Sequence, residues 1–349
     1  MGKCLVTKLN GTVDNDNLLR IGEIRLFNTK LSNPTGSSQY MSLVFSKDTN
    51  LEIVGDAYFT EANLSENKGK TKSCSANQNS AFYVSNNDCQ IAILDKYSLI
   101  KIETNAHRVG DLEDLRFSKG LSFISANDSG QTGDISNLKN LTALTTLSLS
   151  NTQVSGDISN LKNLTALTKL NLDNTQVSGD ISNLKNLTAL TTLSLNNTQV
   201  SGDISNLKNL TALTILSLSN KKTALTGDIG ELHTLTKCIE MYLSGNKLTG
   251  DLATLPSVCK YISLENDKGS VLTWGTRPSS AKIIAMAGTA TLANIDKMLQ
   301  DQAQCHVGFS EGDPSWKKII QIAGTRTSAS DDAIATLQQN GYTVSIIHA

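Results

Sequence analysis

Gly133-Asp134-Ile135-Ser136-Asn137-Leu138-Lys139-Asn140-Leu141-Thr142-Ala143-Leu144-Thr145-Thr146-Leu147-Ser148-Leu149-Ser150-Asn151-Thr152-Gln153-Val154-Ser155 is one unit of a chain that repeats itself. The Gly-Asp step that opens it returns at Gly156, Gly179, Gly202, Gly227 and Gly250, at spacings of 23, 23, 23, 25 and 23 residues. A fixed period in this range marks a solenoid of stacked coils. Within the unit the apolar residues are Leu141, Leu144, Leu147, Leu149, Val154, Ile158 and Leu161. That spacing sustains neither a helix nor a strand period. It predicts one short strand near Leu147–Leu149, then a turning coil that keeps aiming apolar groups inward. One coil buries too little to offset the entropy of ordering its own backbone. Stacked neighbours must therefore seal its open faces and pair its strand.

The L-x-x-L-x-L frame recurs in register as Leu144/Leu147/Leu149, Leu167/Leu170/Leu172, Leu190/Leu193/Leu195 and Leu213/Leu216/Leu218. In this the chain resembles the leucine-rich-repeat family. The resemblance implies an Asn three residues after the last strand Leu, bonding neighbouring backbone. Thr152, Thr175 and Thr198 hold that place here, and Asn246 restores Asn in the coil of Met241 and Leu243. A Thr hydroxyl bonds backbone with less reach than an amide. Gly-Asp-Ile after Val-Ser looks like the family's L-x-G-x-I variant, which implies a second short strand on the flank. The two extra residues around Lys221 and Lys222 are expected to bulge from one coil.

The chain has 349 residues, a net charge of −1 and 5% aromatic residues. Near neutrality offers no nucleic-acid footprint. No run of about 18 apolar residues occurs, so no membrane span is expected. Met1–Asn10 has neither the apolar core nor the cleavage site of a secretory signal. Gly2 and Cys4 hint at acylation, but Val6 stands where myristoylation wants Ser or Thr. Six cysteines (Cys4, Cys74, Cys89, Cys238, Cys259, Cys305) form no C-x-x-C pair and read as small buried hydrophobes. Cys74 and Cys89 are compatible with pairing across a hairpin.

In chain order, residues 1–105 read as a β-rich anchoring domain, a sandwich or barrel. Its strands are Lys3–Leu9, Ile21–Phe27, Met41–Phe45, Leu51–Val54, Ala81–Val84, Gln90–Leu94 and Leu99–Ile102. Ser65–Ser80, rich in Lys, Asn and Ser, reads as an exposed loop. Residues 106–274 are the array. Leu121, Ile124 and Ala126 form a degenerate capping coil, closed by Leu112, Leu115 and Phe117. Leu252, Leu255, Val258, Tyr261 and Leu264 continue its register. Residues 275–349 hold a second repeat. Lys282-Ile-Ile-Ala-Met-Ala-Gly-Thr289 is echoed by Lys318-Ile-Ile-Gln-Ile-Ala-Gly-Thr325, 36 residues on. Each echo reads as a strand and then a helix, about Leu292–Gln302 and Ser330–Gln339, with closing strands near Cys305–Phe309 and Tyr342–Ile347. The whole is an N-terminal all-β domain followed by an α/β solenoid with a continuous parallel sheet and two helix-containing C-terminal coils.

Catalytic chemistry is absent from the motifs. His107, His233, His306 and His348 lie far apart without metal-ligand spacing. No nucleophile elbow or phosphate loop occurs. Asp134, Asp157, Asp180, Asp203, Asp228 and Asp251 form one column. With one carboxylate per coil, it reads as a solvated turn column rather than a calcium ladder. Asn140, Asn163, Asn186 and Asn209 head Asn-x-Thr sequons that read as by-products of the repeat. No cofactor or metal is expected, and the chain is not expected to be an enzyme.

The expected concave face carries Thr146, Ser148, Ser150; Lys169, Asn171, Asp173; Thr192, Ser194, Asn196; and Ile215, Ser217, Ser219. All of these except Ile215 are the candidate ligand positions. They include no aromatic or Arg anchor of the kind tight protein contacts favour. They suit a weak, multivalent or glycan ligand, or a spacer. The near-identity of the coils favours the spacer. Over nearly its full length the chain also resembles leucine-rich-repeat proteins of gut bacteria and their phages. The resemblance rests on Met1-Gly-Lys-Cys-Leu-Val-Thr-Lys-Leu9, Leu19-Arg-Ile-Gly-Glu23, the Asn-Leu-Thr-Ala-Leu coils, Asn266-Asp-Lys-Gly-Ser270 and Gly324-Thr-Arg-Thr-Ser-Ala-Ser330. It implies a non-enzymatic phage virion appendage, a tail or head fibre for receptor binding, made in the bacterial cytoplasm. The expected partners are other virion or scaffold proteins through the N-terminal domain and a host-surface protein or glycan. A homo-oligomer is compatible. The alternative is a bacterial surface adhesin, or a cytoplasmic scaffold or effector.

Overall fold

The computed structural model describes residues 112–347 apart from 117–119, 221–224, 266–269, 279–280, 282–283 and 306–317, and, before residue 112, only the backbone of the strands. The expected strand Lys3–Leu9, the bulge at Lys221, Phe117 and most of the strand near Cys305–Phe309 lie outside the described residues. The chain divides into two compact units, residues 1–177 and 178–349. Each is taken by itself.

In the first unit the repeats contribute β1 (Phe123–Ser125), β2 (Thr146–Ser148) and β3 (Lys169–Asn171), parallel and in register, with Ile124 opposite Leu147 and Leu147 opposite Leu170. In the second, β4 (Thr192–Ser194), β5 (Ile215–Ser217), β6 (Glu240–Tyr242), β7 (Tyr261–Leu264), β8 (Ala285–Gly288), β9 (Ile319–Ala323) and β10 (Thr343–Ile347) pair in that order, all parallel. The second short strand implied on the flank is present. Gln176–Asp180 pairs with Gln199–Ser201, and Thr226–Asp228, Lys247–Asp251 and Val271–Thr273 pair in parallel.

Each coil closes the same way. After its strand, Asn151, Asn174 and Asn197 take φ of 53–55°, a left-handed corner that Asn tolerates better than most residues. The Asn174 amide donates to Asn151 Oδ1 (2.6 Å), and Asn151 to Asp128 Oδ1 (2.6 Å), so the corners are tied coil to coil. Thr152, Thr175 and Thr198 donate to the carbonyl three residues back at 2.6–2.8 Å. The other side of the coil is a 3-10 turn, Ile-Ser-Asn-Leu, whose Ile and Leu are buried. Leu121, Ile124, Ala126, Leu112 and Leu115 are fully buried, as the capping coil required.

The Gly-Asp step is a lock between coils. Each Asp caps the 3-10 turn behind it: Ser136, Ser159, Ser182, Ser205, Gly230 and Ala253 donate backbone N–H to Asp134, Asp157, Asp180, Asp203, Asp228 and Asp251 at 2.7–2.9 Å. The glycine of the following coil sits over that carboxylate. Gly156 faces Asp134, Gly202 faces Asp180, Gly227 faces Asp203 and Gly250 faces Asp228, so a Cβ would strike the carboxylate in each case. From Gly133 to Gly250 these glycines also hold φ of +101° to +118°, where only glycine is unstrained. Gly250→Ala should cost about 2–3 kcal/mol, the sum of backbone strain and a displaced Asp228 cap. With Asp228→Ala already present, the added cost should shrink, because the clash is gone. Urea denaturation of the four proteins measures this, and strict additivity would refute the lock.

Beyond Gly250 one register differs from expectation. Ile262 pairs with Met241 and is buried, while Tyr261 pairs with Glu240. The interior frame is therefore Cys259/Ile262/Leu264, not Val258/Tyr261/Leu264. A strand needs alternation, and only Ile262 and Leu264 share a face. Met241 to Ile262 is 21 residues, so this coil is two residues shorter than the repeat. The two C-terminal helices are α1 (Ile295–Gln304) and α2 (Asp331–Gln339). Gln302 of α1 is fully buried and bonds the Ile284 backbone with both ends of its amide, at 3.1 Å each.

In the N-terminal region Met41–Phe45, Cys89–Ile93, Ala57–Asn63 and Asn67–Cys74 pair antiparallel in that order. Ser65–Ser80 is thus not simply a loop: Asn67–Cys74 is an edge strand. Lys68, Lys70 and Lys72 alternate along it, and lysine is a usual guard on sheet edges. Ala57–Asn63 lies between the strands of Cys74 and Cys89. Two strand spacings, about 9.6 Å, exceed the roughly 7 Å Cα limit for a disulfide. Lys101–Thr104 is antiparallel to Thr49–Val54 and parallel to β1, which joins these strands to the sheet of the repeats.

Candidate functional site

The outer face of the parallel strands is built from alternate residues, and most of its polar groups serve the fold. In the first unit Asn127 Oδ1 accepts from Ser148 Oγ (3.0 Å), Ser150 N (2.8 Å) and Ser150 Oγ (2.9 Å). Ser148 and Ser150 are buried. In the second unit the Asn196 amide donates to Ser217 Oγ (2.7 Å), and its oxygen accepts from Ser219 N (2.7 Å). Ser194 and Ser217 are buried as well. Of the candidate face residues, Lys169 is exposed and Thr146, Asn171, Asp173, Thr192, Asn196 and Ser219 are half-buried. The structure therefore assigns the serines and Asn196 to hydrogen bonds between coils.

The face changes character at β5 to β7. Ile215 is opposite Glu240, and Glu240 opposite Tyr261. Tyr242 stands between Ser217 and Ser263. Ile215 is 36% exposed and Ile239 39%, among the few large apolar side chains left in solvent. Tyr242 is half-buried, and its ring centroid lies 5.4 Å from that of Tyr261 at a tilt of 50°. The Tyr242 hydroxyl donates to Glu240 Oε2 at 2.8 Å. Burial raises the Tyr242 phenol's pKa, and the bond to the Glu240 carboxylate adds to the shift, so the phenol stays a neutral donor. Tyr261 is raised by burial too, against a bond with Ser263. The signal for Tyr242 is present in the sequence, because the strand frame of Met241 and Leu243 puts it on this face, whereas the two-residue shortening hides Tyr261.

Among the described residues the buried thiols offer no nucleophile. Burial pushes the buried Cys259 up to about 12 and holds Cys238 higher still, so both remain protonated. His233 bonds the Gly230 carbonyl through Nδ1 at 2.8 Å on an exposed turn; the other three histidines lie outside the described residues. Among the described residues no three His, Cys, Asp or Glu side chains gather as a metal site. The Asp column is occupied as turn caps. Asn140, Asn163, Asn186 and Asn209 are exposed. No described helix is long and apolar enough to cross a membrane.

A family profile described as Leucine Rich repeats (2 copies) matches residues 142–186. The solenoid is a leucine-rich-repeat array. Among solved structures the chain is similar to a TDR receptor, with a TM-score of 0.53 at 19% identity over 72% of this chain and 43% of the other. It is also similar to PEPR1-AtPEP1, with a TM-score of 0.50 at 18% identity over 72% and 35%. Internalin C2 of Listeria monocytogenes matches at 25% identity over 51% of this chain and 82% of its own, with a TM-score of 0.37. The chain spans less than half the length of each of these first two structures. No curated protein matches it by sequence. These likenesses concern the fold.

Proposed function

We propose that this leucine-rich-repeat chain is a non-enzymatic interaction protein whose reader is the Ile215–Glu240–Tyr242 patch, held out by a spacer of near-identical coils. The observation that carries this is the contrast along one face. Within the second unit Ser194, Asn196 and Ser217 are spent on one another, whereas β5 to β7 leave an aliphatic and an aromatic side chain in reach of a partner. Tyr is a favoured anchor in protein contacts, and surroundings that contribute little energy of their own still exclude water.

The test uses random 12-residue peptides displayed on mRNA and selected on the full chain. Binders should be lost with Tyr242→Ala combined with Ile215→Ser, by roughly tenfold or more. They should survive deletion of Gly156–Ser178, which joins Ser155 to Gly179 in unchanged register. Circular dichroism checks that each variant is folded. Binders lost on the deletion and kept by the double variant would overturn the reading.

For the setting we propose a phage virion appendage, attached through the N-terminal region and synthesised in the bacterial cytoplasm. The sequence resemblance to leucine-rich-repeat proteins of gut bacteria and their phages supports it. Particles purified on a density gradient should then contain the chain in fixed ratio to their capsid protein, and its absence from them would overturn the assignment.

A further inference from the structure

We infer that β10 (Thr343–Ile347) pairs with β10 of a second copy of this chain, antiparallel about a two-fold through Ser345. β10 pairs with β9 on one side, and among the described residues no strand pairs with it on the other. Thr343 N–H donates to the Lys318 carbonyl, and Gly324 N–H to the Ile347 carbonyl, both at 2.9 Å. Backbone groups alternate sides along a strand. Thr343, Ser345 and Ile347 therefore bond inward to β9, while Val344 and Ile346 present N–H and C=O outward. Val344 and Ile346 stand opposite Ile320 and Ile322, both buried, so their side chains belong to the interior frame. Leu216, Met241, Ile262, Met286 and Ile320 hold the place of Val344 in the preceding strands. All five are buried, with a further coil stacked on each, whereas Val344 and Ile346 are half-buried. An edge in this condition is a template for another strand. The sequence of the strand says which one. Tyr342–Ile347 has no charge, proline or glycine, and four of the five residues of β10 are β-branched. The other edge strand, Asn67–Cys74, alternates lysine instead. Thr-Val-Ser-Ile-Ile also reads alike in both directions. With Ser345 opposite itself, Val344 meets Ile346 of the copy and Thr343 meets Ile347. Val344 and Ile346 then exchange both backbone hydrogen bonds, and each covers the other's open side. The same two-fold runs α2, which packs on β10, antiparallel to α2 of the copy. Its exposed acidic start, Asp331 and Asp332, thereby lies at the opposite end of the junction from its twin, so like charges are kept apart. A two-fold contact closes on itself and stops at two copies.

Light scattering on the full chain from ~1 to ~200 μM should show a reversible rise from 37.4 kDa toward twice that mass, and no further. Ser345→Lys sets like charges face to face on the two-fold and, because Ser345 is exposed, leaves the fold intact. It should weaken the dimer about tenfold or more. Residues opposed in this way lie about 4.5 Å apart between Cα atoms, inside the disulfide range. Oxidised Ser345→Cys should therefore cross-link to itself well beyond the parent chain, while Thr343→Cys, which faces Ile347 of the copy, should match the parent. Circular dichroism checks folding; if Ser345→Lys does not fold, the two cysteine variants decide. A chain monomeric over the whole range, a dimer indifferent to Ser345→Lys, equal cross-linking of both cysteine variants, or assembly beyond two copies would each overturn the pairing.

Discussion

Trp274→Ala should lower stability by about 3–5 kcal/mol, the range for deleting a large buried aromatic side chain. Trp274 is fully buried where the last short coil meets the first helix-bearing one. Its indole N–H donates to Asp301 Oδ2 at 3.0 Å, and Asn294 donates to its carbonyl at 3.4 Å. Asp301 also accepts from Arg277 N at 3.2 Å and from Lys297 Nζ at 3.0 Å. Truncation thus opens a cavity and strips a donor from a carboxylate that orders the start of that coil. Trp274→Phe refills much of the volume and should cost visibly less. Urea titrations followed by circular dichroism give both values, and a loss below about 1 kcal/mol for the alanine variant would place the indole outside the core.

Asn246→Ala comes next, at about 3–4 kcal/mol. Asn246 is fully buried. Its amide donates to Leu218 O (3.0 Å) and Leu243 O (2.7 Å), and its oxygen accepts from Leu225 N (2.9 Å). Alanine leaves three backbone groups bare, each costing about 1–3 kcal/mol before local relaxation. Asn246→Thr installs the residue that other coils use there. By analogy with Thr152, it should recover the bond to the carbonyl three residues back and about half the loss. An alanine variant no worse than the threonine one would show that the bond to the carbonyl three residues back contributes nothing, and a threonine variant as stable as the natural chain would show the same of the amide's longer reach.

The interior of the array was legible because stacking makes one coil's spacing every coil's spacing. Leu147, Leu170, Leu193 and Leu216 had only one face to occupy. The helices were legible from the echo of Lys282–Thr289 in Lys318–Thr325. The Gly-Asp lock was visible as a pattern but not as a cause: its partners are a coil apart, and only their meeting explains why neither varies. The register near Tyr261 was lost because a two-residue shortening moves every following side chain, and a spacing of three residues imitated the frame. Asn67–Cys74 was misread because its lysines and asparagines have loop chemistry; an edge strand shows that chemistry too. The proposed reader was hidden by repetition itself, since the coils that advertise the fold are not those that carry Tyr242.

The fit of each aspartate over the next glycine also constrains heredity. Asp134, Asp180 and Asp228 each meet the glycine of the next coil 22 residues on, and Asp203 meets Gly227 across the two-residue insertion. Recombination between coils that adds or removes a whole unit leaves all junctions matched. A change of another length is tolerated where, like that insertion, it keeps the glycine over the carboxylate, and otherwise sets a side chain where only a hydrogen fits. The array is therefore free to lengthen or shorten across generations in whole steps, with the residues that face a partner carried along unchanged at its end.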